Sequence, residues 1–311
     1  MRHGPQRSCG PCLFWFPVCL PYRGGSCDSG GYSLPAGWSR FVGIMLAVPT
    51  SFAPIAALPA TLVFALIAFT TLVTSFISGI LGMAGGMILM GVLLAVLPVA
   101  SAMMLHGVTQ MAANGWRAVM WRRNVDWRVF RGYAMGAAIA LLAFLAVQLL
   151  ASKPVAYILL GLTPFISYAL PKRLALNVDT RGHPLACGLV CMALQLVAGV
   201  SGPLLDVFFV RSAMDRRSVV ATKAMSQTLG HLIKIGYFGG ISLLASGVAT
   251  TLSPWLLLSC VALAFTGTTL SKRVLERMTD ANFRAWTQWT VLTMGVVYLV
   301  SGIGMLLTGK S

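Results

Sequence analysis

The sequence predicts an all-α integral membrane protein, a polytopic bundle of about eight to ten transmembrane segments in two inverted repeats with glycine-broken helices. Three observations support this class. Of the 311 residues, 57% are hydrophobic and only 10% are charged, and the mean hydropathy is +0.82. Glycines break the apolar sequence at two distant places. The same polar pattern follows each break, which indicates an internal duplication. So much apolar surface requires lipid around it.

Apolar segments follow one another from residue 59 to residue 307. They lie at residues 59–82, 85–97, 100–121, 132–151, 154–170, 183–200, 203–211, 217–240, 253–271 and 285–307. A hydrocarbon core of about 30 Å needs about 20 helical residues, so the second and seventh segments are too short to cross alone. Each of these two follows a glycine break. We therefore expect half of a broken helix, or the return arm of a re-entrant hairpin, at each place.

The two breaks are the first candidate for a binding site. They read Ser-Gly-Ile-Leu-Gly-Met-Ala-Gly-Gly at residues 78–86 and Ala-Gly-Val-Ser-Gly-Pro-Leu-Leu-Asp at residues 198–206. An interrupted helix leaves backbone N–H and C=O groups free to coordinate a solute, and glycine lets that solute approach closely. The alternative for a single motif is helix packing through small residues, but the duplication favours binding. The candidate glycines are Gly82, Gly85, Gly86, Gly199 and Gly202.

Two polar stripes follow the breaks. Their members recur every three or four residues and so share one helical face in each half: His106, Gln110, Asn114 and Arg117, then Lys223, Gln227, His231 and Lys234. Polar side chains that point at lipid are costly, so both stripes are expected to face an interior path. Of these, Gln110, Asn114, Gln227 and His231 are predicted to bind substrate. Interhelical hydrogen bonding is the alternative for the glutamines and packing is the alternative for His231, whereas Arg117 is predicted to snorkel to the cytoplasmic interface.

Asp206 lies inside the apolar run that follows the second break. A carboxylate there needs either a cation or a proton. Pairing with Lys223, Lys234 or Arg211 is the favoured interpretation, and proton coupling is the other. Asp206, Lys223 and Lys234 are therefore the candidate coupling residues. We expect no catalytic residue, no metal site and no cofactor.

The basic residues after residue 40 indicate the orientation in the membrane. They gather in alternate loops, as Arg122, Arg123, Arg128 and Arg131; Lys172, Arg173 and Arg181; Arg211, Arg216 and Arg217; and Lys272, Arg273, Arg277 and Arg284. The intervening loops carry only Lys153, so the positive-inside rule places the basic loops in the cytoplasm. An odd number of segments in each half then inverts the second half. The predicted division is a first membrane repeat at 58–171, a cytoplasmic linker at 172–182 and a second membrane repeat at 183–308.

The first 57 residues differ from the rest. Prolines interrupt every apolar run there, at Pro5, Pro11, Pro17, Pro21 and Pro35. We expect a disordered extension, or translated sequence upstream of a true start near Met45.

Four elements together resemble the TauE/SafE sulfite-exporter family of membrane permeases. They are the break at 79–86, the helix end Trp121-Arg122-Arg123, the following Asn-Val-Asp-Trp-Arg at 124–128, and the break at 199–202. The resemblance covers roughly residues 60 to 305. It implies a multi-pass protein of the plasma (bacterial inner) membrane that moves sulfite, sulfoacetate or other small sulfur-containing anions. Ala84, Pro203 and Asp206 stand where this family has glycine clusters.

The favoured function is a secondary permease for a small anionic solute such as sulfite or an organosulfonate. The P-loop pattern GxxxxGK[ST] is absent from the sequence, so an ion or proton gradient would supply the energy. The alternative is a membrane thiol-disulfide electron carrier. That carrier needs an intramembrane cysteine in each half, whereas Cys187, Cys191 and Cys260 all fall in the second.

Two further classes are excluded on sequence grounds. An intramembrane hydrolase would show an HExxH, GxSxG or paired-Asp motif on a helix, and the sequence shows none, so we expect no enzyme. Nucleic acid is not expected as a partner, because few of the Lys and Arg residues form the runs or aromatic-interleaved stripes that it needs. The expected partners are the solute and the lipid bilayer, and a homo-oligomer stays open.

Overall fold

The computed structural model describes residues 59–309 except 82–83, 170–175, 210, 247–251 and 276–279. These residues form a short 3₁₀ helix at Arg122–Asn124 and the helices α1 (Ala60–Leu81), α2 (Ala84–Val96), α3 (Val99–Met120), α4 (Trp127–Val147), α5 (Lys153–Ala169), α6 (His183–Ala198), α7 (Gly202–Phe209), α8 (Arg216–Ser246), α9 (Pro254–Leu275) and α10 (Asp280–Thr308). Each predicted apolar segment overlaps one α-helix, with bounds that differ by up to six residues. The prediction of a helical membrane protein is confirmed, while the extension at 1–57 lies outside the described residues.

Some described helices are long and apolar enough to cross a membrane by themselves. These stretches are Ala60–Ile80, Trp127–Val147, Pro254–Ser271 and Gln288–Thr308, in α1, α4, α9 and α10. Helices α3 and α8 are also long enough, at 22 and 31 residues, but they carry the two polar stripes. Their polar faces must be covered by protein, because lipid offers them no hydrogen-bond partner.

Equivalent helices of the two halves pack in equivalent pairs. Helix α1 packs along α9, and their counterparts α6 and α4 pack along each other. Helix α3 packs on its own counterpart α8, and α5 packs on α10. If a twofold axis relates two five-helix halves, each contact between two helices has an equivalent contact between their counterparts, as these pairs do.

The direction of the α3–α8 contact shows that the halves are inverted. His106 of α3 bonds Lys234 of α8, whereas Arg217 near the start of α8 lies over the ring of Trp121 just after α3, 5.6 Å from its centroid. Between these points, Gly115 faces Thr228. The two helices are thus antiparallel. Since they hold the same position in the two halves, one half is inverted relative to the other, as in transporters that alternate access around a shared site.

Short helix α2 is held in place by its neighbours. Two tyrosine hydroxyls donate to its backbone: Tyr157 of α5 to the Gly91 carbonyl at 3.0 Å and Tyr298 of α10 to the Met87 carbonyl at 2.6 Å. Gly85 lies so close to the Thr74 carbonyl of α1 that a Cβ atom would not fit. A helix of 13 residues is therefore fixed by protein contacts on three sides.

An acidic residue directly precedes each of two helices and accepts hydrogen bonds from backbone N–H groups of the first turn. The Asp126 carboxylate accepts from the backbone N–H groups of Arg128 and Val129, at 2.9 and 3.1 Å, and caps α4. Asp215 accepts from the backbone N–H of Arg217 at 3.1 Å at the start of α8. A hydrogen bond from the Ser218 side chain holds the pKa of Asp215 below its usual value. Hydrogen bonds from the backbone N–H groups of Arg217 and Ser218 lower it further.

Three of the predicted basic loops meet at one end of the bundle. Arg128 donates to the Asp179 carbonyl at 3.2 Å, and the Asp179 carboxylate accepts from Ser212 and from the Ala213 N–H at 2.9 and 2.6 Å. Asn177 donates to the Arg211 carbonyl at 3.3 Å. The loops after α3, before α6 and before α8 thus share one side, which the positive-inside rule assigns to the cytoplasm.

This topology predicts one-sided labelling. In a variant without the seven native cysteines, Arg128→Cys should react with an impermeant maleimide only from the cytoplasmic side. Ser152→Cys, between α4 and α5, should react only from outside. Cells and inverted vesicles give the two readouts. Labelling of both positions from the same side would contradict the orientation.

Candidate functional site

A cavity lies where the two helix breaks meet. Its lining residues come from the end of α1, from α2, α3, α7 and α8, and from the second break: Ser78, Gly86, His106, Gln110, Asn114, Val200, Gly202, Gln227 and His231. The volume open to the centre of a water-sized sphere is about 20 Å³. By this measure one water molecule needs about 10 to 15 Å³, so the cavity is small.

Most of the predicted binding residues come together in this wall. Gly86, Gln110, Asn114, Gly202, Gln227 and His231 all line the cavity, although two glycines do not. Gly85 packs against α1, which is the packing alternative for this motif. Gly199 lies just outside the lining, and Gly82 lies outside the described residues. The two stripes therefore face one shared interior space.

Gly199 makes the second break possible without lining the cavity. Its φ is +80°, in the left-handed region that favours glycine, and its N–H closes α6 by donating to the Gln195 carbonyl at 3.0 Å. A Cβ atom at this position would lie 2.7 Å from the Met103 sulfur and 2.8 Å from the Met90 methyl group. Both the turn and the packing thus require glycine here.

A chain of hydrogen bonds ends at the cavity wall. Gln227 donates to the Ser201 hydroxyl at 3.5 Å, Ser201 donates to Gln195 Oε1 at 2.7 Å, and Gln195 Nε2 lies 3.0 Å from His231 Nδ1. Because the Gln195 amide donates to His231 Nδ1, the neutral ring carries its proton on Nε2. His231, which lines the cavity, therefore has an N–H donor at Nε2.

Gln110 offers a second donor. Its side chain is 3% exposed, and its Nε2 has no hydrogen-bond partner. A buried donor without an acceptor costs about 1 to 3 kcal/mol. Asn114 is satisfied by contrast, since it donates to the Gln110 carbonyl at 3.0 Å and accepts from Arg117 at 3.3 Å. A solute with acceptor oxygens would satisfy the Gln110 amide.

Arg117 differs from its prediction. The expected snorkelling is wrong, because the guanidinium donates to Asn114 Oδ1 and, at 3.4 Å, to the Ser78 carbonyl at the end of α1. Both acceptors belong to residues of the cavity wall. These contacts place a permanent positive charge behind the wall instead of at the lipid interface.

The family model of the sulfite exporter TauE/SafE matches residues 66–298, which include both breaks and the whole cavity wall. The chain belongs to the TauE/SafE family. It is accordingly a multi-pass membrane protein of a transporter family. A search of the curated proteins found no match, and neither did a search of the solved structures.

The cavity and the hydrogen-bond chain beside it include five residues that were not among the predicted site residues: Ser78, His106, Val200, Gln195 and Ser201. His106 belongs to the first stripe and lines the cavity, but only its spacing pointed to it. Gln195 and Ser201 build the chain of hydrogen bonds to His231. The available signal was that each is polar within an apolar stretch and lies close to Gly199 in sequence.

Asp206 forms an ion pair with Lys223, and neither residue lines the cavity. Their side chains are 43% and 22% exposed, respectively. This contact agrees with the interpretation of Asp206 as one member of an ion pair. It leaves Lys234, the third coupling candidate, without this carboxylate.

The pair predicts a specific pattern of stability. Asp206→Asn and Lys223→Met should each lower the melting temperature modestly, since a partly exposed pair contributes roughly 1 kcal/mol or less. The double variant should lose less than the sum of the two single losses, because neither charge is then left alone. Thermal unfolding in detergent measures this. Additive losses, or lost pH dependence of transport in Asp206→Asn, would favour a coupling role instead.

The described cysteines of this family member are free. Cys187 and Cys191 lie on α6 with their sulfur atoms 4.0 Å apart, and Cys260 lies on α9. All three are buried, and all belong to the second half. Within the described ranges, no group of three or more His, Cys, Asp or Glu side chains could hold a metal ion.

Proposed function

We propose that this TauE/SafE member is a secondary permease of the plasma membrane that carries a small anion, sulfite or an organosulfonate, through the cavity between the two breaks. One observation carries the proposal. Two N–H donors, Gln110 Nε2 and His231 Nε2, belong to a wall that contains no Asp or Glu among its described lining residues. A wall with unused donors and no carboxylate favours an anion.

Two helix N-termini add positive potential at the same place. Gly86 lies in the first turn of α2 and Gly202 is the first residue of α7, and both line the cavity. The first N–H groups of a helix have no partner within the helix, and the helix dipole makes this end favourable for negative charge. The arrangement resembles discontinuous helices whose N-termini point at an anionic substrate group.

Lys234 supplies a further positive group without local compensation. Its side chain is fully buried, and among the described residues no carboxylate oxygen lies within 4 Å of its Nζ atom. Ionisable residues inside a membrane protein are rare and mark solute or ion pathways. We place Lys234 beside the path as the cation that balances the solute.

The mechanism follows from the inverted halves. We assign the first repeat to residues 58–171, the linker to 172–182 and the second repeat to 183–308. Rocking of one repeat against the other would open the cavity to either side in turn. The glycine breaks, including Gly82, would give the backbone room to contact the anion.

Transport by the purified protein tests this proposal. Proteoliposomes preloaded with sulfite should exchange it for radiolabelled sulfite with saturable kinetics. Unlabelled sulfoacetate should compete, whereas choline, a cation, should not. The proposal fails if exchange of every sulfur oxyanion tested equals that of protein-free liposomes.

A further inference from the structure

Lys234 connects the two helix breaks through a continuous hydrogen-bonded link. Its Nζ atom lies 3.0 Å from the Gly199 carbonyl oxygen in the second break and 2.8 Å from His106 Nδ1. His106 Nε2 in turn lies 2.9 Å from the Gly86 carbonyl oxygen, in the first turn of α2. Three contacts thus join a backbone carbonyl of one repeat to a backbone carbonyl of the other.

The geometry fixes where the protons are. The Gly86 carbonyl can only accept, so His106 Nε2 must carry a hydrogen. In a neutral ring Nδ1 is then the unprotonated nitrogen and accepts from Lys234 Nζ, which also donates to the Gly199 carbonyl. A proton added to Nδ1 would point at an N–H hydrogen of a charged Lys234, and this hydrogen bond would break. The intact link therefore cannot coexist with a charged imidazole beside a charged lysine.

Within the part of the chain that the structure describes, no carboxylate forms an ion pair with this link. His106 is 1% exposed and Lys234 is fully buried. The buried or partly buried titratable and charged groups described on the elements packed around it include His231 and Tyr237 of α8, Arg117 of α3, Tyr133 of α4, Cys187 and Cys191 of α6, Cys260 of α9, Tyr157 of α5, Tyr298 of α10, and the Asp206–Lys223 pair. The only carboxylate in this set, Asp206, already has Lys223. A second positive charge on the link thus needs an anion from outside.

We propose that His106 and Lys234 form a proton-binding pair that couples the anion to a proton and releases the contact between the two repeats. An anion in the cavity supplies the negative charge that a second buried positive charge requires. A proton from water then bonds to His106 Nδ1, the hydrogen bond from Lys234 to Nδ1 breaks, and Lys234 keeps its bond to the Gly199 carbonyl. Departure of the anion on the other side returns the proton to water and restores the link.

This inference rests on the proposed anion transport, and it deepens that proposal by naming the coupled ion and the residue that carries it. His106 lines the cavity, so the anion and the proton occupy adjacent positions. With Lys234 charged, the break carbonyls are joined only while His106 is neutral. Protonation therefore acts on the contact that must change when the repeats move.

The test counts protons moved for each sulfite. Proteoliposomes with an internal pH dye take up radiolabelled sulfite with the membrane potential clamped. A titration of free sulfite at the same pH gives the protons that the solute itself carries. Wild type should move about one proton more than this for each sulfite, because one imidazole nitrogen takes one proton.

His106→Gln is the decisive variant. A glutamine can donate to the Gly86 carbonyl and accept from Lys234, but it cannot bind the proton. The excess proton should disappear, whatever the residual rate. The matched control is His183→Gln, since His183 is the first residue of α6, lies outside the cavity lining, and accepts at Nδ1 from the Asn177 N–H at 3.0 Å. This control should keep the excess.

Two results would overturn the inference: no excess proton in wild type, or the same excess in His106→Gln. If His106→Gln turns over too slowly, the comparison is made at equilibrium, as protons taken up when sulfite binds the purified protein in detergent. Failure of the proposed function looks different, because wild type would then show no sulfite exchange at any pH.

Discussion

Replacing Gly86 by leucine should lower sulfite exchange by about 100-fold or more, because displacing groups in a positioned site by about 1 Å has effects of that size. A Cβ atom at Gly86 would lie 3.4 Å from Cδ and Oε1 of Gln110, which is ordinary contact distance. The first carbon therefore fits, and the remaining carbons of leucine enter the cavity. Gly86 is helical and leucine is a good helix former, so α2 should still form.

Gly236→Leu is the matched control for this change. Gly236 lies on α8, is exposed, and would place its Cβ atom more than 4 Å from any neighbour. It should insert and transport like wild type. Both variants are compared for expression, monodispersity in detergent and sulfite exchange. Normal exchange in Gly86→Leu would mean that the solute path does not pass this wall.

Replacing Gln110 by leucine should change stability and transport in opposite directions. The unpartnered Nε2 atom destabilises the empty protein by about 1 to 3 kcal/mol, so its removal should raise the melting temperature. Loss of a hydrogen bond to a charged solute, about 1.5 to 3 kcal/mol, should weaken the apparent affinity for sulfite roughly 10- to 100-fold. Thermal unfolding and saturation kinetics measure the two effects.

Thr268→Val separates a general stabilisation from a site effect. The Thr268 hydroxyl on α9 is also buried without a partner, but Thr268 does not line the cavity. Its replacement should raise the melting temperature and leave the affinity for sulfite unchanged. If Gln110→Leu lowers stability instead, the amide holds helices together, which is the packing alternative for this glutamine.

The helices and the breaks could be predicted because they depend on local sequence. Helix α2 and helix α7 are short and follow glycines, and both begin where the broken segments were expected. The stripe residues Gln110 and Gln227 reach the same cavity because a spacing of three or four residues fixes one helical face before any packing is known.

The partners across helices could not be predicted, because they depend on depth and rotation in the bundle. Lys223 and Lys234 share a face of α8 but lie about 16 Å apart along its axis. Only the packed structure shows that Asp206 reaches Lys223, whereas Lys234 reaches Gly199. The prediction for Arg117 was wrong for the same reason. Its distance in sequence from the basic loop did not show that its side chain reaches the Ser78 carbonyl across the interface with α1.

Anomalous X-ray diffraction from crystals soaked in selenite tests the central claim most directly. Selenite has the shape and charge of sulfite, and its selenium atom marks the position of the anion. Its competition with radiolabelled sulfite in proteoliposomes sets the soaking concentration. The account predicts an anomalous peak in the cavity, with the selenite oxygens within hydrogen-bond distance of Gln110 Nε2 and His231 Nε2. A peak only at another place, or no peak at a concentration that fully inhibits sulfite exchange, would contradict it.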